Sequence, residues 1–393
     1  MSGPAVSAPA RLLLLTIDYP PLGGGISRWT ALLARALHPY DVTVLAPETP
    51  GPAKTGREAE DRIRIVRGPF FRDVPRSWGL HDLFSYARWA NRLSQETGAN
   101  LILSAQAGLP ALVGAVAARR RRVPFVMAAH GEELSRSMKS PVRRWVLRRA
   151  VAAAALLIAN SKSTIDVLVS LGADRSRTRR WAAVDGDEWG NPEPSPERHG
   201  DPPVLLTVGR IDKRKGQEKM LEAWPAVRQR FPDCEYWIVG GGPGVDGLRA
   251  RVRDDPALLG VRIFGRVEDS RLEEMYRRAS VFVLTSRRVA GLEEGLGLVF
   301  LEAALFGVPS VGGRIGGVSD AVVHEKTGLL VDPEDAGEIA RAVIRLLADG
   351  ELRRTMGHRA RRRVHRLFVL PQASRRLVSW VEALLPEEKR SVR

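Results

Sequence analysis

Apolar and polar positions along this chain fall into two long series of short runs. The first series opens with RLLLLTI (11–17), an apolar run that reads as a buried strand. SRWTALLARAL (27–37) places apolar residues three and four apart, the period of a helix packed on one side. DVTVLA (41–46) and RIRIVR (62–67) predict strands, HDLFSYARWANRL (81–93) a helix, and ANLILSA (99–105) and PFVMAAH (124–130) two more strands. A helix over about 141–154 and a strand at ALLIANS (155–161) complete the series. Continuous apolar strands alternating with helices predict a parallel sheet covered on both faces.

The pattern breaks at GNPEPSPERHGDPP (190–203), rich in Pro, Gly and charge and without periodicity, which reads as a linker. The alternation then restarts. VLLTVGR (204–210), CEYWIVGGG (234–242), VRIFGRV (261–267), VFVLTS (281–286), VPSVGG (308–313) and GLLVD (328–332) read as strands with helices between them, and PQASRRLVSWVEALL (371–385) as a final amphipathic helix. At 393 residues the chain is too long for one ordinary core. The expected architecture is α/β: two doubly wound parallel-sheet domains, 1–187 and 188–370, and a helical tail over 371–393. Ligands of such sheets bind at the carboxyl ends of the strands, so two such domains facing one another would enclose a cleft lined by the loops that follow strands.

Composition narrows the function classes. The apolar run at Leu12–Ile17 is short and runs into Asp18, and AVAAAALLIA (150–159) is well under the roughly 20 residues that span a bilayer. A soluble, unexported chain is expected, and the lone Cys234 fits a reducing cytoplasm. The net charge of +16 is uneven: residues 101–150 hold ten basic residues and two acidic ones, Glu132 and Glu133, with clusters at Arg119–Arg122 and RRWVLRR (143–149). Such a face suits an anionic membrane surface, an anionic substrate or nucleic acid, or is simply a solvated surface. Nucleic acid is the weakest of these, since no zinc-finger spacing or aromatic-interleaved RNA motif is present.

The candidate chemistry lies where the strands end. Gly24 and Gly25, in GGG (23–25), stand between the first strand and first helix, where glycine lets the backbone approach a phosphate or simply makes a tight turn. His130, in HGEE, closes a strand and is placed to bond a ligand hydroxyl or carbonyl. GRIDKRKG (209–216) carries Arg210 and Lys215 across a turn, a pair fit to neutralise a diphosphate. GLEEGLGLVFLEA (291–303) places Glu294 and Glu302 eight residues apart. In one helix that spacing is about 12 Å, too long for a glycosidase carboxylate pair. Gly295 and Gly297 instead predict a loop, with a helix starting near Leu298. The N–H groups of Gly297, Leu298 and Val299 would then form an anion site between two hydroxyl-binding carboxylates. That arrangement suggests a diphosphate flanked by a ribose and a sugar.

Taken in order, PPLGGGISRW, HGEE, NSKST (160–164), GRIDKRKG, VGGGP (239–243), FGRV (264–267) and EGLGLVFLEAALFGVPSV (294–311) resemble the retaining GT-B glycosyltransferases, in particular glycosyltransferase family 4. The resemblance runs along nearly the whole chain. It implies a retaining transferase that moves a hexosyl group from GDP-mannose or a UDP-hexose to a lipid-linked, glycan or small-molecule hydroxyl. It implies that Glu302 binds the ribose and Glu294 lies beside the donor sugar. Arg210 and Lys215 would neutralise the diphosphate, and the backbone near Val267 would face the base. His130 would contact the sugar, with Gly24 and Gly25 near the phosphates. It implies no cofactor and no metal, a front-face substitution with no separate base, and a C-terminal helix that crosses back to the first domain. AAVDGDEW (182–189) departs from the family's Asn-Gly-Val-Asp segment. With the basic first domain, a peripheral place on the inner face of a membrane is expected. Two other classes remain open. A sugar-nucleotide epimerase shares the architecture but needs further acid/base groups. A nucleic-acid-binding protein has no use for Glu294 and Glu302.

Overall fold

The computed structural model describes residues 8–48, 58–60, 62–70, 80–187, 189, 192 and 202–390. The chain divides into two compact units, residues 1–183 with 370–393, and residues 184–369. Most of the expected linker at 190–203 lies outside the described residues.

The first unit runs β1 (Arg11–Leu15), α1 (Gly25–Ala36), β2 (Asp41–Pro47), β3 (Glu58–Glu60), β4 (Ile63–Gly68), α2 (Leu80–Glu96), β5 (Leu101–Ser104), α3 (Leu109–Arg121), β6 (Phe125–Ala129), α4 (Glu132–Met138), α5 (Pro141–Ala153), β7 (Leu156–Ala159), α6 (Lys162–Ser170) and β8 (Thr178–Arg180). Its sheet is ordered β3-β4-β2-β1-β5-β6-β7-β8. Every pairing is parallel except β3 on β4. Strands β5, β6 and β7 are buried at every position, as helices on both faces require. β1 ends at Leu15, short of the expected Ile17. There the Thr16 hydroxyl donates to the Asp18 carbonyl (2.9 Å) and accepts from the Asp18 N–H (3.0 Å), which turns the chain out of the ladder.

The second unit runs β9 (Val204–Val208), α7 (Gln217–Arg230), β10 (Glu235–Val239), α8 (Val245–Asp254), β11 (Val261–Gly265), α9 (Asp269–Arg278), β12 (Val281–Leu284), α10 (Leu298–Leu305), β13 (Ser310–Gly313), α11 (Val318–Ala321), β14 (Gly328–Val331), α12 (Ala336–Ala348) and α13 (Gly350–Leu367). Its sheet is all parallel and ordered β11-β10-β9-β12-β13-β14. Counted within the unit this is 3-2-1-4-5-6, the Rossmann order. The parallel part of the first sheet follows the same rule. In each, the winding reverses once, between β1 and β5 and between β9 and β12. Helices leave those strands to opposite faces, so the loops after them diverge and leave a crevice.

The last helix, α14 (Leu370–Glu382), belongs to the first unit. Its Ser374 hydroxyl donates to the Ala36 carbonyl at the end of α1 (2.5 Å). The Trp181 indole N–H donates to the Ala373 carbonyl (2.9 Å). Ala373, Leu377 and Val381 form its buried face. No helix among the described residues is long and apolar enough to cross a membrane.

Leu377→Ala removes a fully buried side chain and is expected to destabilise by about 2–4 kcal/mol. Amide hydrogen exchange should quicken in β1 and β5 and stay unchanged in β9 and β12. Equal quickening in both sheets would contradict the assignment of α14 to the first unit.

Candidate active site

In the second unit the crevice is built by the loops after β9 and β12, which are stitched together. Gly216 is left-handed (φ 73°) and closes the first loop against the second. A Cβ at this position would lie 2.0 Å from the Thr285 carbonyl oxygen, so only glycine fits. The Thr285 hydroxyl donates to the Gly216 carbonyl (3.1 Å). Arg287 donates its backbone N–H to the Arg214 carbonyl (2.7 Å) and its Nε to the Lys213 carbonyl (2.8 Å). Val289 and Leu292 exchange backbone bonds around Ala290 and Gly291, both left-handed, which makes a tight hairpin ahead of Glu294.

This scaffold brings Lys215 and Glu294 into contact. The Lys215 ammonium lies 2.5 Å from Glu294 Oε2, and the Ser286 hydroxyl donates to the same oxygen (2.9 Å). The side chains are only 18% and 13% exposed. Burial by itself raises the Glu294 pKa. The Lys215 charge and hydrogen bond, the Ser286 hydroxyl and the Arg214 charge outweigh it, and the carboxyl is held below its ordinary value. Glu294 is therefore an anion at neutral pH, able to accept bonds from hydroxyls but not to give up a proton.

Arg210 stands in the same loop, mostly exposed, with its Nε 3.5 Å from Asp212. Helix α10 starts at Leu298, as the glycines predict, behind a left-handed Gly297 (φ 77°). Gly297, Leu298 and Val299 are half-buried at that helix start. Glu302 lies one turn in and is buried, 3% exposed, where it accepts a bond from the Tyr276 hydroxyl (2.8 Å). Tyr276 is held by stacking on Phe306 (centroids 5.3 Å apart). Val267 is half-buried just beyond β11, at the carboxyl edge of the same sheet.

The first unit has a polar cluster at its own point of reversal. Gln106, just past β5, donates its amide to Asp18 Oδ2 (2.8 Å), just past β1, and accepts from the Ile17 N–H (3.1 Å). His130 is buried beside them. Its Nε2 lies 2.8 Å from the Ala105 carbonyl, an oxygen that only accepts, so Nε2 carries the proton. Trp29 packs edge-on against the His130 ring at 4.3 Å, and the His130 backbone N–H donates to Glu133 Oε1 (2.6 Å). The buried Glu133 Oε2 and the Ser27 and Ser104 hydroxyls find no hydrogen-bond partner among the described residues. Burial raises the Asp18 pKa. The nearby His130 and the Gln106 bond oppose that, Glu133 and Glu132 reinforce it, and the result stays above the ordinary value. Gly24, the residue before α1, has φ 132°, and Cβ atoms at Gly24 or Gly25 would meet nothing within 4 Å, so backbone and open space meet there.

Residues 192–363 match the family Glycosyl transferases group 1, and residues 23–182 match Glycosyltransferase Family 4. A GDP-mannose-dependent alpha-(1-6)-phosphatidylinositol monomannoside mannosyltransferase of Mycolicibacterium smegmatis is 34% identical over 88% of this chain and 91% of its own length. A glycogen synthase of Mycobacterium tuberculosis is 28% identical over 90% of each chain. Among solved structures, a sucrose-phosphate synthase from Thermosynechococcus elongatus superposes with a TM-score of 0.81 at 23% identity, over 95% of this chain and 99% of that one. The chain belongs to glycosyltransferase family 4. It has the GT-B fold, and its reaction class is transfer of a glycosyl group from a nucleotide sugar.

Five residues of this family 4 glycosyltransferase escaped the sequence reading: Asp18, Gln106, Tyr276, Ser286 and Arg287. Asp18 and Ser286 were within reach, because each lies just past a strand that borders a reversal of winding. Among the described residues no group of three His, Cys, Asp or Glu side chains is placed to hold a metal ion.

The two carboxylates should respond to pH with opposite signs. The lowered Glu294 pKa contributes stability above the ordinary carboxylate range, and this is lost as pH falls through the folded value. Lys215→Met should therefore cost about 2 kcal/mol at neutral pH, with the difference from wild type shrinking in acid. The raised Asp18 pKa means the ionised form is disfavoured in the fold, so its contribution is present in acid and lost as pH rises through the folded value. Asp18→Asn should raise Tm at pH 7 and lose that gain below the carboxylate range. Urea melts of both variants across pH check the two signs.

Proposed function

We propose that the enzyme is a retaining mannosyltransferase, transferring mannose from GDP-mannose to a hydroxyl of an anionic, lipid-linked glycoside at a membrane surface. The observation that carries this reading is the Lys215–Glu294–Ser286 contact at the β9/β12 reversal. It sets a cation for a departing diphosphate beside an anion for sugar hydroxyls. The choice of GDP-mannose and of a lipid acceptor is supported by the mycobacterial mannosyltransferase that the chain resembles.

In this reading Arg210 and Lys215 bind the diphosphate with the N–H groups of Gly297, Leu298 and Val299. Glu302, oriented by Tyr276, takes the ribose hydroxyls, and the backbone at Val267 faces the base. Glu294 orients the mannose. In the first unit His130, Asp18 and the unpartnered Glu133 oxygen receive hydroxyls, and Gly24 and Gly25 let backbone approach a phosphate. The leaving diphosphate takes the acceptor's proton as the new bond forms on the same face of the sugar. The protein's part is positioning and stabilisation of the developing charge. Protein cations supply that stabilisation, so no metal is needed and EDTA should leave transfer unchanged.

Thermal shifts with GDP, UDP and ADP test the donor: GDP alone should raise Tm markedly, since a ligand at a hundredfold excess over Kd adds about 2.7 kcal/mol. Glu302→Ala should weaken GDP binding roughly tenfold or more, and Glu294→Ala should mainly lower kcat, by about a hundredfold. Selective stabilisation by UDP or ADP would overturn the donor assignment. Wild-type behaviour of both glutamate variants would overturn their roles.

A further inference from the structure

The exposed apolar side chains of this protein are unevenly placed. Met138, Val142 and Trp145 are 40%, 71% and 58% exposed, and they fall within eight residues at the corner between α4 and α5. Helix α5 has two apolar faces. Leu147, Ala150 and Val151 are buried against the first unit. Val142 and Trp145, one turn apart, lie on the far side, and residues 141–145 are all exposed. The Arg149 guanidinium lies over the Trp145 ring at 5.1 Å. Arg143, Arg144, Arg148 and Lys139 are exposed around the same corner. The only acidic residues from 132 to 149 are engaged elsewhere. Glu132 pairs with Arg136 (2.5 Å), and Glu133 caps the His130 N–H.

Topology fixes where this corner lies. α4 leaves the carboxyl end of β6 directly after His130, and α5 ends three residues before β7 begins at the opposite, amino edge. The first turn of α5 therefore stands at the carboxyl edge of the sheet, on the side of Asp18, Gln106 and His130. In the chain, only Gly131, the seven residues of α4 (about 10 Å of helix), Lys139 and Ser140 lie between His130 and α5. The other basic cluster, Arg119–Arg122, ends α3 and leads into β6, so it stands at the amino edge. The two basic clusters read from the sequence are thus at opposite edges. Val116 is exposed beside the α3 cluster, but only the α5 cluster adds an exposed aromatic ring, Trp145.

We infer that the α4–α5 corner is a membrane-docking wedge: Val142 and Trp145 enter the headgroup region of an anionic bilayer, and Arg143, Arg144 and Arg148 contact its phosphates. Tryptophan beside arginine on a helix surface suits that interface, where one side of the ring is apolar and the other wet. Headgroup charge attracts the arginines, and the apolar pair makes the contact persist when salt screens the charge. Docked this way, the carboxyl edge that carries His130 and Asp18 faces the surface from which a lipid acceptor is drawn. The inference rests on the lipid-acceptor reading above and gives it a structural route.

The test is sedimentation of the full-length protein with vesicles of phosphatidylcholine, with and without phosphatidylglycerol, alongside GDP titration. Wild type should bind the anionic vesicles. Val142→Ser with Trp145→Ser should weaken that binding at least tenfold, with Tm and GDP affinity unchanged. Arg143→Gln with Arg144→Gln should weaken it mainly at low salt. Retained binding in the serine variant overturns the wedge, as does wild type that ignores both vesicle types. A solution dimer that the serine changes dissolve would assign the corner to a second copy instead. Loss of GDP selectivity would strike at the mannosyltransferase reading and leave the wedge standing.

Discussion

The ion pair between Lys215 and Glu294 is the contact that joins the loops after β9 and β12 and on which the proposed chemistry rests, and the strand order makes it possible. Two groups 79 residues apart in sequence meet because β9 and β12 are neighbours whose helices depart to opposite faces. A charge so little exposed is costly without a partner. Here each supplies the other's, and Ser286 and Arg214 add to it. The outcome is a cation and an anion held together where the winding of the sheet reverses. The first sheet uses the same geometry differently. Asp18 and Gln106 span its reversal with a neutral donor instead of a cation, and burial leaves the Asp18 carboxyl above its ordinary pKa.

The surroundings of the site are backbone more than side chain. Gly216 packs on the Thr285 carbonyl, and the loops after β9, β10 and β12 bond one another through main-chain groups. Loops held in this way fix the backbone positions from which the Lys215 and Glu294 side chains reach one another. Arg287 adds a side chain to this backbone frame: its N–H and its Nε tie two carbonyls of the lysine loop to the hairpin that precedes Glu294, and Glu334 and Glu218 are its ion-pair partners.

Much of the fold was legible because buried parallel strands are continuous apolar runs, and because Gly297 marks the start of α10. Helix α3 was not, since Leu109, Pro110, Ala111, Val113, Gly114, Ala117 and Ala118 are buried on several sides and leave no stripe to read. Strands β3 and β8 were missed because EAE and TRR carry no strand pattern and exist only through their neighbours. In the site, the two glutamates stood out by their setting, but their partners did not. Glu294 meets Lys215 and Ser286, and Glu302 meets Tyr276 from α9, contacts that spacing along the chain does not encode. In the sequence Asp18 only ends an apolar run, because its partner Gln106 lies 88 residues away.

The most direct measurement is calorimetric titration of GDP and GMP into wild type and Lys215→Met. If Lys215 grips the distal phosphate, the variant should lose roughly 10- to 100-fold in affinity for GDP and little for GMP. Equal losses for both nucleotides, or full GDP affinity in the variant, would contradict the placement of the diphosphate at the β9/β12 reversal.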